Sequence, residues 1–87
     1  MTVESGDGVA DVQGELLRYL SARVSQGEHL TIDTDLLDSE LLDSMLIMDV
    51  CAHVERMHGV KLANADIAPR NFRTITALAT LVAERRA

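Results

Sequence analysis

Apolar residues recur at three- and four-residue intervals near the start of the chain. After Val9 they fall at Val12, Leu16, Leu17, Leu20 and Val24. This spacing places them on one face of an amphipathic helix, and Asp7 is available to cap it. The pattern predicts a first helix over residues 9–24. Residues 1–8 contain two glycines and little apolar surface, so we expect a disordered terminus there.

Residues 25–43 have no helical period. They contain Gly27, several Asp, Ser and Thr residues that favour turns, and leucines along their whole length. We predict a long loop that its leucines pin to the core. A loop of this length inside a small domain is usually functional.

A second periodic segment follows the pair Asp43-Ser44, and Gly59 is a suitable residue to end a helix. The pattern therefore predicts a helix from Ser44 to the residue before Gly59. Its predicted buried stripe consists of Met48, Cys51, Val54 and His58, flanked by Met45, Ile47 and Val50.

The last third of the chain predicts two further helical elements. A short one lies between Asn64 and Arg70 and is interrupted by Pro69. Thr74 can cap a final helix. The predicted buried face of that helix consists of Ile75, Leu78, Ala79 and Val82. We therefore expect an all-α fold, a small four-helix bundle with three main helices and one short helix, over residues 9–86.

The amino-acid composition limits the size and the kind of core that the chain can form. The 87 residues are 47% hydrophobic, which is enough for one modest core. Phe72 and Tyr19 are the only aromatic residues, so the core is aliphatic, and one cysteine excludes an internal disulfide. No apolar run is long enough to cross a membrane. We expect a monomeric, cytoplasmic protein, and the initial Met1 favours a stand-alone gene product.

The charge is negative and unevenly distributed. The net charge of −6 argues against nucleic-acid binding, which depends on attraction to phosphate. Residues 1–44 carry ten acidic side chains against two arginines, whereas residues 45–87 carry four against six basic ones. Any acidic docking surface should therefore lie in the first half of the chain.

Asp43-Ser44 stands at a loop-to-helix junction. The first backbone N–H groups of a helix lack partners and its dipole is positive there, so an anion attached at this point is well tolerated. On spacing alone, however, the pair is an ordinary N-cap pattern, and that interpretation is favoured.

The run Leu41-Leu42-Asp43-Ser44-Met45 closely resembles the Asp-Ser-Leu motif of the phosphopantetheine-dependent carrier proteins. Acyl carrier proteins and peptidyl carrier domains belong to that family. The resemblance extends from residue 9 to 86. It includes Asp33-Thr34-Asp35-Leu36, the helix that ends at Gly59-Val60, the Asp66-Ile67 turn and the closing segment from Asn71-Phe72 to Val82.

The resemblance implies a carrier without catalytic activity. Ser44 would receive 4′-phosphopantetheine from coenzyme A, Asp43 would belong to the attachment motif, and acyl groups would be carried as thioesters on the terminal thiol. The implied partners are a phosphopantetheinyl transferase, a loading acyltransferase or adenylating ligase, and downstream synthase or modifying enzymes. The expected partner-binding residues are Leu42, Met45, Asp49 and Glu55.

Four positions depart from the family pattern. Glu40 replaces a frequent glycine, and His58 replaces an apolar aromatic residue at the end of the second helix. Ile47 and Arg56 stand where fatty-acid carriers often have acidic residues. This last difference favours a specialised pathway, such as polyketide or nonribosomal peptide biosynthesis, over bulk fatty-acid synthesis.

Ser39 is an alternative attachment site, because Leu36-Leu37-Asp38-Ser39 nearly repeats the later motif. Only Ser44 is followed by a predicted helix, so we favour Ser44.

Two other functions stay open: a helical interaction module in which Ser44 is only an N-cap, and a regulatory protein that has lost the arm. A serine hydrolase is excluded because the Gly-x-Ser-x-Gly elbow is absent.

Other reactive side chains have plainer interpretations. Cys51 lies on the apolar stripe with no base nearby in sequence, so we expect a core cysteine rather than a nucleophile. Asp49 and His53 could share a metal ion, but no other ligand pair has a matching spacing. We therefore expect a solvated pair and no metal site. Met48 is assigned to the core and Met45 to a partner-facing surface. Arg70 and Arg73 are expected in solvent.

Overall fold

The computed structural model describes residues 8–24, 27–38 and 41–86. Its helices are α1 (Val9–Ser21), α2 (Ser44–His58), α3 (Pro69–Phe72) and α4 (Ile75–Arg86), with short 3₁₀ turns at Gly27–His29 and Asn64–Asp66. All regular structure in these residues is helical, which confirms the predicted all-α bundle of three main helices and one short one. The predicted cap Asp7, residues 1–7 of the terminus predicted to be disordered over 1–8, Ser39 and Glu40 lie outside the described residues. Gly8, which was included in that terminus, is the N-cap of α1.

The core is mainly aliphatic, as predicted, but it also contains the buried ring of Phe72; it forms where α1 and α4 pack against each other with α2 and α3 alongside. In α1 the buried residues are Val12, Leu16 and Leu20, which share one face at four-residue spacing. Helix α1 ends three residues before the predicted Val24, which packs against the core from the following turn.

Helix α4 matches its predicted cap and buried face. Thr74 Oγ1 accepts a hydrogen bond from the Ala77 N–H at 3.0 Å. The predicted residues Ile75, Leu78, Ala79 and Val82 are all buried, together with Leu81. Pro69 begins α3 rather than interrupting a helix, because its fixed φ and missing N–H suit the first helical position.

The buried face of α2 differs from the predicted stripe. The buried residues are Val50, His53 and Val54, whereas Met48 is 66% exposed. Successive residues of a helix are rotated by about 100°, so Met48 lies nearly opposite Val50. The prediction was wrong because it left His53 out of the core. A histidine can be buried when its ring forms hydrogen bonds, and His53 forms them to a neighbouring helix.

The long loop is pinned as predicted, by buried Leu30, Leu36 and Leu42. Polar contacts reinforce it. Leu36 N–H donates to the Arg73 carbonyl at 2.7 Å, and Arg73 Nη1 donates to Asp35 Oδ2 at 3.0 Å. A backbone hydrogen bond from Asp38 and the Arg73 guanidinium hold the pKa of Asp35 below its usual value. Arg73 is exposed, as predicted, at 49% of its side chain, and it also pairs with the loop before α2.

Gly27 makes a close backbone approach to the end of α1. A Cβ at this position would lie 1.9 Å from the Ser21 carbonyl oxygen, which no side chain could tolerate. Only glycine allows the chain to turn here into the loop that leads to α2.

The turn before α3 is held by an ion pair. Asp66 Oδ1 accepts from Arg85 Nη2 at 2.6 Å, while Asp66 Oδ2 accepts from Arg85 Nε at 3.1 Å and from the Ala63 N–H at 3.0 Å. The Arg85 hydrogen bonds are the main reason that the pKa of Asp66 is lowered. This bidentate pair joins the turn to the last turn of α4 and so positions the segment that enters α3.

Candidate functional site

Ser44 is the first residue of α2 and is exposed. Asp43 precedes it in an extended conformation as the N-cap. Its Oδ1 accepts a hydrogen bond from the Leu46 N–H at 2.8 Å, and its carbonyl accepts from the Ile47 N–H at 2.9 Å. The cap is therefore Asp43 and not Ser44, which removes the interpretation of Ser44 as an N-cap residue.

Helix α2 ends directly before Gly59, where the sequence predicted its end. Gly59 adopts the left-handed conformation, with φ at 68°, and its N–H donates to the Glu55 carbonyl. This conformation is readily available to glycine and ends the helix. Helix α2 therefore spans Ser44–His58, between the N-cap Asp43 and the C-cap Gly59.

The start of α2 favours an anion on Ser44. A helix N-terminus carries partial positive charge and N–H groups that have no partner within the helix. The first turn of α2 contains no acidic residue, and the acidic side chain at this helix start is that of the N-cap Asp43. A phosphate attached to the exposed hydroxyl would therefore be stabilised by the helix without opening the core.

An apolar cleft of about 180 Å³ lies beside this helix start. Its lining consists of Leu37, Ile47, Ile67, Ala68, Pro69 and Phe72. Ile47 is one helical turn after Ser44. It was predicted to flank the buried stripe, and it is partly buried against the core. The cleft itself was not predicted, because its lining residues come from three separate segments.

The predicted partner-binding residues divide into two groups. Met45 is 77% exposed, and Asp49 and Glu55 are also exposed on α2. Leu42 is instead buried, because its side chain anchors the loop immediately before the helix. Met48, which was expected in the core, joins the exposed surface.

Cys51 is only partly buried and packs against the edge of the core. Burial, with a smaller contribution from the charge of Glu55, raises the pKa of its thiol. A raised pKa lowers the thiolate fraction, so Cys51 has the character of a packing residue rather than a nucleophile.

The predicted solvated pair of Asp49 and His53 is wrong. His53 is 5% exposed and faces α1, where its Nε2 donates to Glu15 Oε2 at 2.7 Å. His58 Nε2 donates to Glu15 Oε1 at 2.8 Å. We call these three residues the histidine cluster. His53 lies nine residues beyond Ser44, about 14 Å along α2, so the histidine cluster is remote from the helix start.

Comparison with protein families decides the interpretation of this geometry. The family model described as the phosphopantetheine attachment site matches residues 14–82, which is most of the chain. The chain belongs to this family. Its carrier domains are non-catalytic, their cofactor is covalent 4′-phosphopantetheine, and they interact with a phosphopantetheinyl transferase and partner enzymes. The predicted resemblance, carrier role and cofactor are confirmed.

No curated protein and no solved structure gave a significant match to the chain. Across the residues that the structure describes, none of the carrier's helices combines the length and apolar character needed to cross a membrane. The head of α2 fits the family's cofactor in two ways. It offers an exposed hydroxyl at a helix N-terminus, and an apolar cleft lies beside it.

Proposed function

We propose that residues 9–86 form a carrier domain that holds acyl, aminoacyl or polyketide intermediates on a 4′-phosphopantetheine arm attached to Ser44. The observation that supports this site is the exposed Ser44 at the N-terminus of α2, inside the segment that the family model matches. We further propose that the protein acts in polyketide or nonribosomal peptide biosynthesis. Location in the cytoplasm and a monomeric state stay predictions.

Attachment makes one new bond at Ser44. The Ser44 Oγ attacks the β-phosphorus of coenzyme A, its proton leaves, and the adenosine bisphosphate portion departs, so that Ser44 becomes a phosphodiester. Asp43 keeps the first turn of α2 formed while this happens, because its Oδ1 accepts from the Leu46 N–H. The positive end of the helix dipole favours the new negative charge. The terminal thiol of the arm supplies the thioester linkage for the cargo.

The cleft beside Ser44 supports an apolar portion of the arm or cargo. Its lining is apolar, and Phe72, at 1% exposure, forms its floor. The lining includes Ile47, which stands at a position that is often acidic in fatty-acid carriers.

The proposed docking surface consists of Met45, Met48, Asp49 and Glu55, all exposed on α2. Methionine side chains adapt to differently shaped partners, and the two carboxylates complement basic surfaces. The proposed partners are the phosphopantetheinyl transferase, a loading acyltransferase or adenylating ligase, and a downstream synthase. Because a carrier must leave each enzyme in turn, we expect affinities no tighter than about micromolar.

Mass spectrometry tests the attachment site. The purified chain is incubated with coenzyme A, Mg²⁺ and a broad-specificity phosphopantetheinyl transferase. We expect one arm on the wild type, none on Ser44→Ala, and one on the matched control Ser39→Ala. Modification of Ser44→Ala but not Ser39→Ala would move the site to Ser39, and no modification of the wild type would overturn the proposed carrier function.

A further inference from the structure

The histidine cluster brings three metal-ligating groups from two helices to one point. Glu15 projects from α1, and His53 and His58 project from α2. Both Nε2 atoms meet the same carboxylate, at 2.7 and 2.9 Å for His53 and 2.8 Å for His58. One ligand atom from each side chain lies within 4.8 Å of the others. We propose that these residues form a binding site for a divalent transition-metal ion of the Zn²⁺ class.

The chemistry of the ligands fits such an ion. Imidazole nitrogen and carboxylate oxygen are typical Zn²⁺ ligands, and two histidines with one carboxylate leave a fourth position for water. Zn²⁺ lies about 2.1 Å from such atoms, so tetrahedral ligands are separated by about 3.4 Å. The present separations between the Nε2 atoms and the carboxylate need to widen by about 0.6 Å. That widening requires small side-chain movements rather than a rearrangement of the helices.

The cluster is sheltered from solvent. The side chains of His53, His58 and Glu15 are 6%, 9% and 19% exposed. Because a partly buried carboxylate is stabilised by an opposite charge, a cation bound beside Glu15 would be favoured there.

The ligand geometry is also held in place. The Tyr19 ring stacks on the His53 ring, with centroids 3.7 Å apart and planes inclined by 22°. Tyr19 itself is held by its hydroxyl, which donates to the Asp49 carbonyl at 3.3 Å. His58 is the last residue of α2, directly before the Gly59 cap. Metal binding here would join α1 to the end of α2 that is remote from Ser44.

Proton balance sets one requirement on binding. Each histidine now donates its Nε2 proton to Glu15, whereas a metal ion needs a free Nε2 lone pair. On binding, each proton moves to Nδ1 of the same ring or to solvent, and the metal takes its place between nitrogen and carboxylate. No oxidation or reduction is involved.

Cobalt titration tests the site. The untagged full-length chain is stripped with a chelator and titrated with Co²⁺, whose visible absorption reports tetrahedral nitrogen and oxygen ligands. Zn²⁺ is then added in competition. We expect one Co²⁺ per chain, complete displacement by Zn²⁺, and a melting temperature raised by roughly 10 °C or more when Zn²⁺ exceeds its Kd about 100-fold.

His53→Gln and His58→Gln isolate the ligands. Glutamine keeps an N–H donor for Glu15 but lacks the imidazole nitrogen, so we expect Co²⁺ affinity to fall on the order of 10–100-fold or more. His29→Gln is the matched control, because His29 is exposed in the Gly27–His29 turn and does not belong to the cluster. It should bind Co²⁺ like the wild type.

Three results would overturn the proposal: no saturable Co²⁺ spectrum in the wild type, unchanged affinity in both cluster variants, or lost affinity in His29→Gln. Far-UV circular dichroism shows whether each variant is folded. If a glutamine variant is unfolded, the wild-type titration and its His29→Gln control decide between one tetrahedral site and none. Modification of Ser44 is measured separately, so the two proposals can fail independently.

Discussion

Replacement of Asp43 by alanine tests how the start of α2 is held. The substitution removes the hydrogen bond of 2.8 Å from the Leu46 N–H to Asp43 Oδ1. Asp43 is exposed, so the change leaves no cavity in the core. Loss of such an N-cap typically lowers the free energy of unfolding by about 1 kcal/mol. In a domain of this size that corresponds to a fall in melting temperature of about 4–8 °C.

Asparagine at the same position separates the hydrogen bond from the charge. Asp43→Asn keeps a side-chain oxygen that can accept from Leu46 but loses the favourable interaction of the carboxylate with the helix dipole. We expect it to keep at least about half of the stability that alanine loses. Urea unfolding, followed by far-UV circular dichroism, measures both variants against the wild type.

The same variants connect stability to attachment. If Asp43 serves only to hold the helix start, the rate of phosphopantetheinyl transfer should follow the stability of the two variants. An alanine variant as stable as the wild type, within about 0.3 kcal/mol, would refute the capping argument. An asparagine variant as unstable as alanine would show that charge, and not the hydrogen bond, holds the helix.

Three further predictions concern the core, the cluster and the loop. Phe72→Ala removes a buried ring and should lower the free energy of unfolding by about 3–5 kcal/mol in urea, whereas a loss under about 1 kcal/mol would contradict its core role. The pKa of Glu15 is lowered in the folded protein, so the ionised carboxylate stabilises the fold fully at neutral pH, and this stabilisation is lost as the pH falls below about 5. The difference in unfolding free energy between wild type and Glu15→Gln should therefore shrink below about pH 5, and a difference that stays constant would contradict this. Gly27→Ala should lower the melting temperature by at least about 4 °C, since its Cβ would overlap the Ser21 carbonyl, and an unchanged melting temperature would contradict that contact.

The signals that succeeded in the sequence were local. Asp43 and Gly59 mark the bounds of α2 by chemistry within one helical turn, and Thr74 does the same for α4. The four-residue spacing of α1 identified its buried face because that helix has one continuous apolar stripe. In each case the physical cause lies within a few residues of its effect.

The assignments that failed depended on distant residues. Met48 was placed in the core because its neighbours at three- and four-residue spacing are apolar, yet the core accepted His53 in its place. The reason is Glu15, which is 38 positions away and accepts the His53 hydrogen bond. Arg73 is exposed, as predicted, but nothing near it in sequence indicates Asp35 as its partner.

For this carrier, the sequence by itself determined the helical elements, the caps of α2 and α4, the carrier family and Ser44 as the candidate attachment residue, because these depend on local backbone chemistry and a contiguous motif. Only the tertiary structure decided which face of α2 is buried, where the apolar cleft lies, and that Glu15 meets His53 and His58. Those features depend on how the helices pack. Packing brings together side chains that are far apart in sequence, and the residues next to each one do not indicate its partner.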